Sequence, residues 1–228
     1  MTLKINSRLA VFDCDGTLVD SQASIISAMV SSFETHSYPT PNPEQIRRIV
    51  GLPIRVGIEK LLPDARFSEI KKLEDSYKES FGKIRREGKI QDPLYPGVFD
   101  VLSTLENDGW ILGIATGKST RGLKMILEKY DLIDKFYTLQ TSDTAPGKPD
   151  PSMLINAMND TGCIAENTVM IGDTSFDIQM ALNAKVHPIG VSWGYHPQDE
   201  LEKAGANTIA ENFFSLPKIL NIMNINKS

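Results

Sequence analysis

Three short apolar runs in this chain each stop at a polar residue able to do chemistry. Leu9-Ala10-Val11-Phe12 runs into Asp13-Cys14-Asp15-Gly16, Ile111 to Ala115 runs into Thr116-Gly117, and Thr168 to Ile171 runs into Gly172-Asp173. Short uninterrupted apolar runs bounded by turn chemistry mark strands buried on both faces, the kind found in parallel sheets covered by helices. His187 to Ser192 reads as a fourth such strand and Phe136 to Gln140 as a fifth. Stripes at helical spacing stand between them: Leu123, Ile126, Leu127 and Tyr130; Leu154, Ala157, Met158 and Thr161; Ile178, Ala181 and Leu182. The second stripe has Asp150 as its expected N-cap and Pro151 at its first helical position. Leu216, Ile219, Leu220 and Met223 predict a last helix, with the tail from Asn224 expected to fray. Strand and helix alternate from residue 97 onward, so the expected fold class is α/β, a doubly wound parallel sheet with right-handed crossovers.

Residues 21–90 break that alternation. Ile26, Met29, Val30 and Phe33 mark one helix, Ile46, Ile49 and Val50 a second, Ile58, Leu61 and Leu62 a third, and Ile70 to Ile84 a long polar-faced fourth. The expectation is a small helical domain over 21–90, inserted into an α/β core made of 1–20 and 91–228. Asp92-Pro93 and Pro96-Gly97 read as the return linker.

A net charge of −5 argues against a nucleic-acid partner, which needs many Lys and Arg to displace counterions. No apolar run approaches a membrane span, and Met1 to Arg8 is too short and polar for a secretory leader. Cys14 and Cys163 read as reduced, partly buried thiols, which suits the cytoplasm. His36, His187 and His196 lack zinc-site spacing and read as ordinary surface or loop residues.

Ligands of open α/β sheets bind at the carboxyl ends of the strands. Asp13, Asp15, Thr116 and Asp173 all fall there, and Lys148 lies in Gly147-Lys148-Pro149-Asp150-Pro151 just before a predicted helix. Such a set of carboxylates, one hydroxyl and one ammonium has no histidine and no activated thiol. Crowded carboxylates repel unless a cation joins them, and hard oxygen ligands together with a phosphate select magnesium. With magnesium on one side and Lys148 on the other, a phosphate ester can approach Asp13 for attack at phosphorus. Thr116 can donate to a phosphoryl oxygen, and Asp15 can protonate the leaving oxygen and then deprotonate water. Each motif alone is ordinary loop chemistry, Asp13-Cys14-Asp15-Gly16 included; the ordered set is what points to a site.

These motifs also carry a family resemblance. Asp13-Cys14-Asp15-Gly16-Thr17-Leu18-Val19-Asp20-Ser21 resembles the first motif of the haloacid dehalogenase-like superfamily, and Ala115-Thr116-Gly117-Lys118 the second. Gly147-Lys148-Pro149-Asp150-Pro151 resembles the third and Gly172-Asp173-Thr174-Ser175-Phe176-Asp177 the fourth, in the family's order and across nearly the whole chain. The resemblance implies a Rossmann-like core and makes residues 21–90 the helical C1 cap that closes over the site. It implies Asp13 as nucleophile and magnesium ligand, and Asp15 as general acid and base whose backbone carbonyl also binds the metal. Thr116 and Lys148 then hold the phosphoryl group, helped by the backbone amides of Gly117 and Lys118. Asp173 becomes a direct metal ligand, and Asp177 supports the metal through water or orients Lys148.

Asp15 separates the chain from the dehalogenase and phosphonate-cleaving branches, and Thr17 favours hydrolysis over the transfer of the sugar-phosphate mutases. The chain looks most like the phosphoglycolate phosphatase-like group, acting on a small phosphorylated metabolite through an aspartyl phosphate, as a monomer or homodimer. An inorganic pyrophosphatase and a sugar-phosphate phosphatase or mutase of the same superfamily are the alternatives. From another class, a phosphoacceptor signalling domain also sets Asp, Thr and Lys at strand ends, but it is shorter and lacks a helical insertion. Within 21–90, Arg47, Arg48 and Arg55 either meet a second anionic group of the substrate or are solvated helix-face charges. The Gly51-Leu52-Pro53 turn can bring Arg55 to the site, which makes it the substrate-binding candidate there. Ser192 to Pro197, with Trp193 and Tyr195, either lines the rim or packs against the core.

Overall fold

The apolar runs form the middle of a single sheet. The computed structural model describes residues 7–88 and 91–223, so the expectation about the tail from Asn224 lies outside the described residues. The strands are β1 (Arg8–Phe12), β2 (Trp110–Thr116), β3 (Thr138–Thr141), β4 (Thr168–Gly172), β5 (His187–Val191) and β6 (Ile209–Ala210). They lie in the order β3-β2-β1-β4-β5-β6 and every pairing is parallel. The chain thus winds outward from β1 to β3, returns to β4 on the other side of β1, and winds outward again. The fold class is α/β and Rossmann-like, with its topological switch between β1 and β4.

The helices α1 (Gln22–Thr35), α2 (Pro43–Arg47), α3 (Ile54–Leu61) and α4 (Phe67–Arg86) come between β1 and β2. Then follow α5 (Val98–Asn107), α6 (Thr120–Lys129), α7 (Ser152–Thr161), α8 (Ser175–Asn183), α9 (Gln198–Ala204) and α10 (Leu216–Ile222). Successive side chains of a strand face opposite ways. Ala10 and Phe12 therefore pack with Leu102, Leu105, Leu123 and Leu127, while Leu9 and Val11 pack with Leu154, Ala157, Met180 and Ala181. Leu9 to Phe12 of β1 are fully buried, which is why that run carries no polar position.

The segment from α1 to α4 has its own apolar cluster, with Met29, Phe33, Ile46, Ile58, Ile70 and Leu73 at its centre. Its two connections to the sheet run side by side. Asp20 N–H donates to Pro93 O at 2.8 Å, Tyr95 N–H to Leu18 O at 3.0 Å, and Ser24 Oγ to Asp92 Oδ1 at 2.6 Å.

Several details differ from expectation. Helix α2 ends at Arg47, so Ile49 and Val50 are buried in the turn beyond it. Helix α7 begins at Ser152 because the Asp150 side chain accepts from Ser152 N–H at 2.9 Å, an Asx turn that delays the helix past Pro151. Strand β3 starts two residues late, leaving Phe136 buried but outside it. His196, expected as an ordinary loop residue, is buried edge-on against Phe176 with ring centroids 5.4 Å apart.

Leu105 is fully buried between α5 and the sheet. Leu105→Ala is expected to lower the unfolding free energy by about 2–5 kcal/mol, read from urea titration with an unchanged slope. A loss under about 1 kcal/mol contradicts the packing described.

Candidate active site

Strand register brings the distant motifs to one edge. Phe12 lies opposite both Ile114 and Ile171, so Asp13, Thr116 and Asp173 leave neighbouring strands at the same end of the sheet. Gly16, at φ +83°, lets the loop after β1 fold against that edge; a Cβ there would stand 2.2 Å from Asp173 Oδ2.

Lys148 comes up from the loop before α7. Its ammonium is sealed from solvent, 2.8 Å from Asp13 Oδ1 and 2.6 Å from Asp177 Oδ1. Burial alone would disfavour its charge, but Asp13 and Asp177 outweigh that and hold it above the ordinary lysine range. Asp177 is the third residue of α8 and closes its capping box, its Oδ2 accepting from Thr174 N–H at 3.0 Å and Thr174 Oγ1 at 2.6 Å. The same carboxylate therefore caps a helix and anchors the lysine.

Burial pushes the Asp13 carboxyl up to about 7, against the pull of Lys148 and with added repulsion from Asp177. Its Oδ1 also accepts from Cys14 N–H at 2.6 Å, whereas Oδ2 is buried with no hydrogen-bond partner among the described residues. Asp173 is fully buried and pushed up by burial, then by Asp13 and Asp177. Thr17 Oγ1 and Tyr195 N–H each donate to it at 2.9 Å, but no cation pairs with it among the described residues. Oxygens of Asp13, Asp173 and Asp177 all lie within 4.8 Å of one another. An orphaned buried oxygen beside an uncompensated buried carboxylate fits a hard cation with oxygen ligands.

Asp15 turns elsewhere. Lys118 Nζ lies 2.5 and 2.7 Å from its two oxygens, and Ser21 Oγ donates to Oδ1. Its carboxylate is outside the acidic trio, in which Asp177 stands instead. Thr116 is buried, with Oγ1 accepting from Lys118 N–H at 3.3 Å. Gly117 meets the helical segment closely: a Cβ there would lie 2.6 Å from Gly51 O, so the Gly51-Leu52-Pro53 turn rests on the Thr116-Gly117 loop. The Cys14 thiol is pushed well up by burial and then by Asp15, which leaves it inert.

Sequence reasoning gave Lys118 only a backbone part and did not assign Ser21, Thr17 or Tyr195 to the site. Ser21 and Thr17 were within its reach, since both belong to the run that follows Asp13. Arg55 lines a cavity of about 700 Å³ that opens at Asp15, but its guanidinium is engaged, with Nε 3.0 Å from Glu74 and Cζ 5.4 Å from the Phe67 ring centroid. Arg47 pairs with Glu44, and Arg48 with Glu44 and Glu200.

Known proteins resemble this chain in sequence and in fold. The family model for haloacid dehalogenase-like hydrolase matches residues 10–191. A probable phosphatase of Dickeya dadantii, IndB, is 34% identical over 208 residues, covering 90% of each chain. The phosphoglycolate phosphatase of Agrobacterium fabrum is 30% identical over 225 residues, covering 96% of this chain and 95% of its own. The crystal structure of a predicted phosphatase from Clostridium acetobutylicum superposes with a TM-score of 0.84 at 27% identity, over 94% of this chain and 99% of that one.

Asp13 yields a pH prediction. Its folded pKa of about 7 exceeds the ordinary 3.8, so in cation-free protein its stabilising contribution is full below the ordinary value and is lost as pH rises through 7. A divalent cation competes with that proton. The rise in thermal midpoint on adding magnesium is therefore expected to grow from about pH 5 to about pH 8, and to shrink at every pH in Asp173→Asn. A gain that falls as pH rises contradicts the arrangement.

Proposed function

This chain belongs to the haloacid dehalogenase-like hydrolase family, and from that premise we propose that it is a magnesium-dependent phosphatase cleaving small phosphate monoesters through an aspartyl phosphate on Asp13. One observation carries the reading. Asp13 has one oxygen engaged by Lys148 and the Cys14 amide, while the other is buried and unbonded among the described residues. Phosphatase names among its relatives support the reaction class. Proximity of Asp13 and Asp173 oxygens supports them as magnesium ligands, and the family resemblance adds the backbone carbonyl of Asp15 as a third.

When bound, magnesium supplies the positive charge that lets a phosphate approach carboxylates and that polarises a phosphoryl oxygen. An Asp13 oxygen forms a bond to phosphorus as the bond to the leaving oxygen breaks, and Asp15 gives that oxygen a proton. Asp15 then takes a proton from water, whose oxygen attacks phosphorus, breaks the Asp13–phosphorus bond and releases inorganic phosphate. Thr116, Lys148 and the amides of Gly117 and Lys118 hold the phosphoryl oxygens, and Asp177 positions Lys148. Residues 21–90 act as a cap on a core of 1–20 and 91–228, and the turn resting on Gly117 excludes water from the reaction. The substrate is a small phosphorylated metabolite of the cytoplasm, a compartment that the two free cysteines suit.

Multiple turnover of an aryl phosphate with magnesium is expected, and is lost with EDTA and in Asp13→Asn. Asp15→Asn is expected to slow turnover by about 100- to 10,000-fold. A full-speed Asp15→Asn enzyme removes that role, and a single stoichiometric phosphorylation without turnover replaces the phosphatase with a signalling domain.

A further inference from the structure

The cavity of about 700 Å³ is far larger than a two-carbon acid needs and lies in the range that holds drug-sized ligands. It opens at Asp15, where the proposed reaction sets the leaving group free. Its walls differ in kind. Ile25, Ile49 and Val50 make an apolar side, and Tyr77 and Phe81 of α4 stand next to it, their ring centroids 5.9 Å apart and tilted by 44°. Cations sit about the Phe81 ring, with Lys118 Nζ 6.0 Å and Arg85 Cζ 5.4 Å from its centroid. Aromatic walls with flanking cations favour a flat, electron-rich body.

Charge of both signs also lines the cavity, with Glu79 and Asp143 among its acids. Arg47, Arg48 and Arg55 all have carboxylate partners, as does Lys78, which lies 2.6 Å from Glu74. Arg85 and Arg121 line the cavity and have no ion-pair partner among the described residues. The Arg85 Nη1 lies 3.1 Å from Met125 Sδ, a weak acceptor. Burial and then the charge of Arg121 hold Arg85 below the ordinary arginine range. Two guanidiniums that line one cavity without an ion-pair partner among the described residues would gain from an acid that reaches both, and their forked donors suit a carboxylate or phosphate.

We propose that the ester cleaved here has a flat aromatic leaving group bearing a second acidic group, with the ring against Tyr77 and Phe81 and the acid at Arg85 and Arg121. This rests on the phosphatase reading and names its substrate class. It sets the chain apart from an enzyme whose leaving group is a two-carbon acid or inorganic phosphate.

The test compares naphthyl phosphate, the same ester carrying a ring carboxylate, and phosphoglycolate. Turnover is measured with the magnesium-loaded enzyme, and binding of the naphthyl esters by their fluorescence with Asp13→Asn. The carboxylated ester is expected to have the highest kcat/KM, at least about tenfold above plain naphthyl phosphate. Replacing both arginines (Arg85→Gln with Arg121→Gln) is expected to lower its kcat/KM about tenfold more than that of the plain ester. Phe81→Ala is expected to weaken both naphthyl esters relative to phosphoglycolate. Phosphoglycolate as the best substrate, no gain from the carboxylate, or equal losses in the arginine variant each overturn the inference. Arginine-dependent binding of the carboxylated ester without turnover of any ester overturns the phosphatase reading and keeps the pocket assignment. No binding of that ester overturns the pocket assignment itself.

Discussion

Lys148, sealed between Asp13 and Asp177, ties three separate chain segments to one point. An ammonium taken out of water costs several kcal/mol, recovered only when well-placed carboxylates meet it. Asp13 arrives at the end of β1, Asp177 in the first turn of α8, and Lys148 from the loop before α7. The register of β1 with β4 and the capping box of α8 are thus conditions for the same ion cluster. A carboxylate in the first helical turn also faces the positive end of the helix dipole, which steadies Asp177 while Lys148 draws on its other oxygen. With every carboxylate ionised the cluster would carry a surplus of negative charge, because Asp173 meets only the neutral donors Thr17 and Tyr195, and burial and that repulsion hold Asp13 and Asp173 above the ordinary carboxyl range. That surplus is what a cation at this edge would balance.

The sheet was legible because its inner strands are buried on both faces and so lose every polar position. Strand β1 shows this in Leu9 to Phe12, all fully buried. The pieces that escaped lack such a mark. Strand β6 is two residues long, and α9 (Gln198–Ala204) is mostly charged, with Leu201 its one fully buried side chain. Helix α2 deceived because Ile49 and Val50 keep helical spacing after the helix has ended, their burial coming from the apolar cluster of the helical segment itself.

At the site, the residues on strand ends could be placed because topology alone decides where a strand ends. Side-chain partners could not, since they depend on which segments meet. Asp15 is bound to Lys118 across a sequence separation of 103 residues, and no local pattern announces that contact. Arg55, the substrate-binding candidate of the helical segment, is engaged by Glu74 from α4, whereas Arg85, which no sequence pattern singled out, lines the cavity.

The position of Asp15 has a further consequence for how chemistry and the helical segment are coupled. Asp15 is held by Ser21 and Lys118, and Ser21 is the residue from which α1 starts. Ser21 is in turn fixed by Tyr195, whose hydroxyl accepts from its N–H at 3.2 Å. Lys118, held above the ordinary lysine range by Asp15 against burial, has the Phe81 ring of α4 nearby. Both ends of the helical segment thus bear on this one carboxylate, while Lys148 joins Asp13 at the end of β1 to Asp177 of α8, with Pro53 of the helical segment packed on the neighbouring Gly147. A shift of the segment would take a contact from Asp15 and also move the turn that packs on Gly117 and Gly147. In the proposed reaction both the acid and the loops at Gly117 and Gly147 that flank the phosphoryl site therefore depend on where the helical segment sits, whereas Asp13 itself is fixed by β1 and Lys148.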